Sequence, residues 1–236
     1  MLINKLNISI DINVLAISIF IISVFYLIDR VYIDNEMNNC IKVNYSKLQK
    51  IANTGDIICF RWNCVDIGFR LFSKYSHVGM IVKLPNTNDL YILEIHPQED
   101  IESNINNSGV HLYKLKKRLK YYDGDLYYSK LNVDNKYKLK MSKRIIKNLN
   151  KYKKEIPFDT NFRNAFVLNW FYDIFNWELP ERDSMFCSEF IGVVLQNNNI
   201  YKHHKNLQTL NPGTFLEFKQ NNTNLYSKVY EINLLK

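Results

Sequence analysis

Residues 76–97, SHVGMIVKLPNTNDLYILEIHP, decide the fold of this 236-residue chain. Two runs rich in valine, isoleucine, leucine and tyrosine, at 76–84 and 90–97, flank the turn-forming sequence PNTND. β-Branched and aromatic residues favour strands, and a proline–asparagine–aspartate cluster between two such runs favours a reversal of the chain. The segment therefore predicts a β-hairpin.

The hairpin carries polar side chains that need an explanation. His77 opens the first strand, and Glu94 and His96 lie two residues apart on the second, so they share one face of it. A carboxylate in the middle of an apolar strand is costly to bury unless it is paired or hydrogen bonded. A histidine on the neighbouring strand is a natural partner. Otherwise Glu94 faces solvent and His77 is a structural histidine.

Further strands and helices are predicted on both sides of the hairpin. Strands are expected at residues 57–62, 109–115 and 125–131. Helices are expected at residues 45–51, 66–73, 136–154 and 187–196. This order of elements predicts an α+β domain in which a small antiparallel sheet packs against helices.

Cys187 begins the last of these helices in the sequence FCSEFIGVVLQ. A thiol at a helix N-terminus gains twice, because the helix dipole favours the thiolate and the free N–H groups can meet an oxyanion. A cysteine hydrolase also needs a base, ordinarily histidine, and a polar group that orients this base. The opposing interpretation is a packing cysteine, since free cysteine is among the most buried residue types.

Five histidines compete for the role of base. His203 and His204 lie in a polar loop, His111 lies among lysines, and His96 ends a strand before proline. His77 is favoured, because the start of a strand holds the backbone in place while the side chain reaches a cleft at the end of the sheet.

Six segments occur in the order found in circularly permuted papain-like proteins: TGDIICF, YSHVGMIV, YILEIHP, IPFDTNF, FCSEFIGVVLQ and LNPGTF. Over about residues 50–216 the chain resembles the permuted branch of the NlpC-type superfamily. That branch includes bacterial YiiX-like proteins and a poxvirus papain-like protein and, more distantly, the lecithin–retinol acyltransferase group. The resemblance implies a circularly permuted papain-like fold.

The same resemblance implies a catalytic triad. Cys187 is the implied nucleophile, His77 the base and Glu94 the residue that orients the base, with His96 as the alternative third residue. The implied reaction is hydrolysis or acyl transfer at an amide or ester bond through an acyl-enzyme, with no cofactor and no metal. Peptide amides and lipid acyl groups both fit the family, so the substrate stays open.

Two further positions follow from the resemblance. Tyr75 or Ser76 is expected to contribute to the oxyanion hole. Phe158 and Asp159 occupy a family element that resembles Tyr-Asp, with phenylalanine in place of tyrosine. Any role of that tyrosine hydroxyl is therefore lost in this chain.

Residues 12–28, INVLAISIFIISVFYLI, contain no charged residue. Their length is near the lower limit for a transmembrane helix, about 17 to 25 residues. They predict a single-pass membrane anchor within residues 1–35 and a catalytic domain in residues 36–236. A signal peptide is the alternative, but only Lys5 precedes the run and no small-x-small cleavage site follows it. The basic residues that follow place the domain on the cytoplasmic side.

The net charge is +8, and lysines crowd residues 114–120 and 136–154. Such a surface suits nucleic acid, anionic lipid headgroups or an acidic protein, whereas the plainer interpretation is that lysine solubilises the chain. No nucleic-acid-binding motif accompanies the charge, so nucleic acid is not expected as a partner. The four cysteines form no CxxC pair and no zinc-like spacing with histidine, which favours a reducing compartment.

The sequence therefore predicts a membrane-anchored thiol hydrolase or acyltransferase with a lipid or peptide substrate, and the anchor and basic surface favour lipid. A papain-like fold that serves as a binding module or virion structural protein is the alternative, and a basic nucleic-acid-binding protein is a third. Abundant asparagine, lysine, isoleucine and tyrosine are typical of AT-rich genomes such as those of large DNA viruses, which would place the protein in a virion or host membrane. The sequence leaves the oligomeric state open.

Overall fold

The computed structural model describes residues 20, 23–24, 40–62, 73–85, 87–96, 108–159, 183–201, 207–217, 219–220 and 223–234. The chain divides into two units, Met1–Cys40 and Ile41–Lys236, and nearly all described residues belong to the second. The predicted anchor at 12–28 and the predicted helix at 66–73 fall almost entirely outside the described residues. Among the residues that are described, no helix is long and apolar enough to cross a membrane.

Seven strands of the described chain form one mixed sheet. They are β1 (Ile41–Asn44), β2 (Ile57–Trp62), β3 (His77–Lys83), β4 (Leu90–His96), β5 (Gly109–Lys114), β6 (Gly124–Ser129) and β9 (Tyr230–Asn233). Their order across the sheet is β1-β9-β6-β2-β3-β4-β5. Neighbouring strands are antiparallel except β1 and β9, which run parallel. A separate ladder joins β7 (Lys219–Gln220) to β8 (Thr223–Asn224).

Four helices and two 3-10 turns accompany the sheet in the described part of the second unit. The helices are α1 (Tyr45–Ile51), α2 (Leu115–Lys120), α3 (Asn135–Glu155) and α4 (Cys187–Asn197), and the turns are Leu207–Thr209 and Thr214–Glu217. Helix α2 packs on β4 and β5, and α4 packs on β3 and β4. Leu115 and Leu119 of α2 join Phe60, Ile81 and Ile92 of the sheet in the buried core.

The predicted α+β class is confirmed, and the predicted hairpin is present as β3 and β4, with Met80 paired to Leu93. The prediction of a small antiparallel sheet is correct only in part, because the sheet has seven strands and β1 and β9 add a parallel pair at one edge. Each of these strands has only four residues and one buried side chain, Val43 in β1 and Ile232 in β9. Neither therefore shows the alternation that marks a strand in sequence; pairing between distant segments forms them.

A buried ion pair fixes the long helix α3 to the start of β2. Lys138 Nζ lies 2.7 Å from Asp56 Oδ1, and both side chains are buried. The same carboxylate accepts the Tyr128 hydroxyl at 2.7 Å and the backbone N–H groups of Leu131 at 3.0 Å and Asn53 at 2.8 Å. The local sequence TGDIICF does not mark Asp56 for this role. With four donors on its two oxygens, it is a structural centre of the domain.

Candidate active site

His77 begins β3, and its imidazole lies between a carboxylate and a thiol. Its Nε2 atom lies 2.8 Å from Oε2 of Glu94 on β4. The Cys187 thiol is close enough to the same imidazole to raise its pKa. Because Nε2 faces Glu94, the nitrogen that remains for the thiol is Nδ1. The expected contact between the strand-start histidine and the neighbouring-strand carboxylate is therefore present.

Glu94 is completely buried and is held on its second oxygen by Arg118. The Arg118 Nε–H donates to Oε1 of Glu94 at 2.6 Å. Burial alone would raise the pKa of the Glu94 carboxyl, but the Arg118 guanidinium, followed by His77, lowers this pKa well below its usual range. The carboxylate thus stays ionised and keeps an acceptor aimed at His77.

Arg118 is the residue of this site that sequence reasoning missed. It lies in α2, within the sequence LKKRLK, which was interpreted only as a basic surface. Its guanidinium carbon lies 4.7 Å from the ring centroid of Phe60 and 5.7 Å from that of Tyr122. Arginine stacks on aromatic rings and donates directional hydrogen bonds, which lysine does not do in the same way. A single arginine among lysines was the available signal.

The electrostatic setting of His77 favours its protonated form. Burial disfavours the charged imidazole, but the charge and hydrogen bond of Cys187, followed by those of Glu94, raise the pKa of His77 to about 9. Phe60, its partner across β2 and β3, packs against the imidazole with ring centroids 5.1 Å apart. A protonated imidazole beside the ionised Glu94 is therefore the state that this arrangement favours at neutral pH.

Cys187 is the first residue of α4, and a short β-bridge holds the backbone that leads into it. The Met185 N–H donates to Pro157 O and the Asp159 N–H donates to Met185 O, both at 3.1 Å. This pairing joins the segment IPFDTNF to the residues immediately before the thiol. Cys187 is 7% exposed, and as the first residue of α4 it lies at the positive end of the helix dipole.

The segment LNPGTF packs beside the same end of α4. The Ser188 hydroxyl donates to Leu210 O. Asn211 Oδ1 accepts the N–H groups of Gly213 at 2.9 Å and Thr214 at 3.0 Å, so the loop is held by its own side chain. Its position explains why this segment accompanies the cysteine segment in the sequence pattern.

Cys59 lies near the site but has a different environment. It is 1% exposed on β2, and its Sγ lies 3.8 Å from Pro212 O. Burial, together with the charge of Cys187, raises the pKa of the Cys59 thiol. Cys40, Cys59 and Cys187 are free thiols, whereas Cys64 lies outside the described residues. Among the described cysteines, Cys187 is the one placed at a helix start against a histidine.

His96 lies in the site but does not take the place of Glu94 beside His77. Its ring centroid is 6.5 Å from that of His77 and 4.6 Å from that of His111, on which it stacks. Burial is the main cause that lowers the pKa of His96 to about 4, so this imidazole is neutral at pH 7. Glu94 therefore provides the hydrogen bond to Nε2 of His77, and His96 packs alongside.

The backbone N–H groups of Tyr75 and Ser76, the residues expected at the oxyanion hole, donate to acceptors within the fold. The Ser76 N–H and hydroxyl donate to Phe60 O at 2.8 Å and 3.0 Å. The Tyr75 N–H donates to Ser73 Oγ at 3.2 Å, and the Tyr75 ring packs on Tyr127.

The chain matches no protein-family model, and a search of curated proteins finds no match. In the described part of the chain, no cluster of three or more histidine, cysteine or acidic side chains is arranged to hold a metal ion.

Proposed function

We propose that this protein is a cysteine-dependent hydrolase or acyltransferase that acts on an amide or ester bond. The observation that supports the proposal is the position of His77, which is hydrogen bonded to Glu94 and has its pKa raised by the nearby Cys187 thiol. A nucleophile, a base and a group that orients the base are the three parts that such catalysis requires.

In the proposed first step, the Cys187 sulfur attacks the carbonyl carbon of the substrate after His77 has taken the thiol proton. The C–S bond forms while the carbonyl oxygen takes the negative charge, and N–H groups of the first turn of α4 stabilise it. The imidazolium of His77 then gives its proton to the leaving amine or alcohol. The product of this step is a thioester on Cys187.

In the second step, water or another acceptor attacks the thioester carbonyl. His77 takes the proton of the incoming nucleophile and returns it to the departing sulfur. Glu94 keeps the imidazole oriented through both steps and stabilises its positive charge. Water as the acceptor gives a carboxylic acid and a hydrolase, and an alcohol or amine gives an acyltransferase.

The arrangement also supports a circularly permuted papain-like fold. The strand that carries His77 precedes the helix that carries Cys187 in the chain, and this helix packs on the strands that carry His77 and Glu94. A membrane anchor at residues 12–28 remains part of the proposal, with a lipid or lipid-modified substrate. A screen in which only soluble peptides are turned over would remove the lipid preference.

Labelling by a thiol-directed electrophile tests the proposed nucleophile. In the native protein, a fluorescent iodoacetamide should label Cys187 first, and Cys187→Ala should abolish this rapid labelling. Cys59→Ala is the matched control and should leave it unchanged, because that thiol is buried and its pKa is raised. Rapid labelling that persists at Cys59 or Cys64 in Cys187→Ala would sink the assignment. A Cys187 no more reactive than free cysteine would instead indicate a binding module with a papain-like fold.

A further inference from the structure

We propose that the exposed face of α3 docks the protein onto a membrane surface that contains anionic lipids. The proposal concerns a surface that the candidate active site does not use. Helix α3 buries one side through residues that include Lys138, Met141, Ile145 and Tyr152. Its opposite side is exposed, and the charges on that side are strongly segregated.

Six exposed lysines form a single stripe along the outer side of α3. Their spacings of three or four residues place them on one side of a helix with 3.6 residues per turn. From the first lysine to the last, the stripe is about 27 Å long at a rise of 1.5 Å per residue. The lysine stripe consists of Lys136, Lys140, Lys143, Lys147, Lys151 and Lys154.

The lysine stripe lacks the counter-charges that solubilising lysines ordinarily have on a helix. Glu155 is the only acidic residue in the sequence of α3, and it pairs with Lys151 at 3.7 Å. An exposed helix with interspersed charges of both signs would gain from several pairs at spacings of three or four residues. A stripe of one sign instead attracts a surface of the opposite sign.

Two large aliphatic side chains decide between the possible anionic partners. Leu139 is 50% exposed and Ile146 is 37% exposed, one heptad apart along the same flank of the lysine stripe. Contact with the phosphates of a nucleic acid gives exposed leucine and isoleucine no stabilisation. A lipid interface accommodates both features, because lysines reach the headgroups while aliphatic side chains enter the acyl boundary. The combination therefore favours an anionic bilayer.

Acetylation footprinting with the full chain tests the docking surface residue by residue. The protein is mixed with vesicles of phosphatidylcholine alone, or of roughly three parts phosphatidylcholine to one part phosphatidylserine, which gives an anionic surface. Lysines are then acetylated and quantified by mass spectrometry. Lys140, Lys143 and Lys147 should be protected only by the anionic vesicles, and salt should remove the protection. Because the readout is local to α3, a separate anchor elsewhere in the chain does not mask the result.

Charge reversal gives the quantitative test. A lysine near an anionic membrane contributes about fivefold in affinity, so Lys140→Glu combined with Lys147→Glu should raise the vesicle concentration for half-protection of Lys143 by at least about 25-fold. Lys50→Glu combined with Lys228→Glu makes the same change in net charge at exposed positions outside α3. This control should shift the midpoint by less than about fivefold. Equal shifts in the two variants would overturn the proposed surface.

A third variant separates a bilayer from other polyanions. Leu139→Ser combined with Ile146→Ser keeps every charge and alters only exposed positions. It should weaken protection by anionic vesicles and leave binding to duplex DNA unchanged, with circular dichroism confirming the fold. Protection by duplex DNA without protection by vesicles would overturn the lipid assignment in favour of nucleic acid. Protection by neither, in a folded protein, would overturn the proposal altogether.

Discussion

Arg118 donates its Nε–H to Oε1 of Glu94 at 2.6 Å, so the carboxylate that orients His77 through Oε2 is itself held in place through its other oxygen. With the imidazole protonated, the side chains of His77, Glu94 and Arg118 form a row in which the ionised carboxylate lies between two cationic groups. This row allows buried charges to remain ionised in a setting that would otherwise neutralise them.

Replacement of Arg118 should change the pH dependence of the Cys187 thiol. In Arg118→Met, burial is no longer opposed by the guanidinium, so the pKa of Glu94 should rise. Once Glu94 is protonated, it no longer stabilises the imidazolium of His77. The iodoacetamide alkylation rate of Cys187 should therefore fall at a higher pH than in the native protein when the solution is acidified. Near neutral pH, we expect a loss of about tenfold to a hundredfold, within the contribution of general acid–base catalysis.

The conservative variant Arg118→Lys separates positioning from mere folding. It keeps the positive charge and should restore most of the native pH profile, although it loses the planar contact with Phe60. Identical profiles for the native protein and folded Arg118→Met would show that Arg118 does not control Glu94.

The charge of His77 should be visible in the choice between two alkylating reagents. Below about pH 9 the imidazolium is present, and it attracts negatively charged iodoacetate more than neutral iodoacetamide. The rate of alkylation of Cys187 by iodoacetate, divided by the rate with iodoacetamide, should therefore fall as the pH rises through about 9. In His77→Gln this ratio should be low and independent of pH. A native ratio that stays constant across this range would contradict the protonated imidazole.

His77 should stabilise the folded protein at low pH and lose this effect at high pH. The pKa of His77 is raised from 6.5 to about 9 on folding, so its protonation stabilises the fold fully below about 6.5. That stabilisation is lost as the pH rises through about 9. Urea unfolding across this range should show a weaker decline for His77→Gln than for the native protein. Equal slopes for the two proteins would remove His77 as the source.

Loss of Lys138 should destabilise the domain strongly. Lys138→Met leaves the buried Asp56 carboxylate without its cation and should lower the free energy of unfolding by about 3 to 5 kcal/mol. Lys140→Met removes the same charge from an exposed position of the same helix and should change this free energy by less than about 0.5 kcal/mol. Urea denaturation of both variants provides the measurement. Equal effects would mean that the buried pair is not a structural centre.

A methyl group at Gly79 should disturb both packing and the site. An added Cβ would lie 2.7 Å from Cδ1 and 2.8 Å from Cγ1 of Ile92, which lies two residues before Glu94 on β4. Gly79→Ala should therefore cost about 1 to 3 kcal/mol of stability and slow alkylation of Cys187. Gly213→Ala is the control for stability, because its added Cβ would lie no closer than 3.3 Å to another side chain. Native stability and alkylation in Gly79→Ala would refute the close approach.

The elements that could be predicted from sequence are those whose local pattern matches their environment. Strands β2, β3 and β4 are apolar and bounded by turns, and α3 and α4 show helical periodicity, so their positions agree with the prediction within a few residues. His77 and Glu94 could be paired because a buried charge in a strand needs a neighbour. Their catalytic role, with that of Cys187, stays a prediction.

What the sequence did not reveal depends on contacts between distant segments. Arg118 lies 24 residues from Glu94, and although it is a single arginine among lysines, its own segment does not identify the carboxylate that it binds. Asp56 and Lys138 are 82 residues apart and pair only once α3 has packed. Strands β1 and β9 are too short for local propensity to mark them. In each case, the stabilising partner lies too far away along the chain to be detected from the local hydrophobic pattern.

The parallel pairing of β1 with β9 sets an order for completing the domain. Strand β9 lies between β1 and β6, so the first strand of this unit has no neighbour in the sheet until residues 230–233 have been synthesised. Until then, the edge of β6 that will pair with β9 is uncovered, and an uncovered edge invites pairing with other chains. During synthesis, the elements that hold His77, Glu94 and Cys187 all emerge before that edge is closed. A chain that ended shortly before β9 would thus contain every side chain of the candidate site, but the edge of β6 would stay unpaired and prone to aggregation.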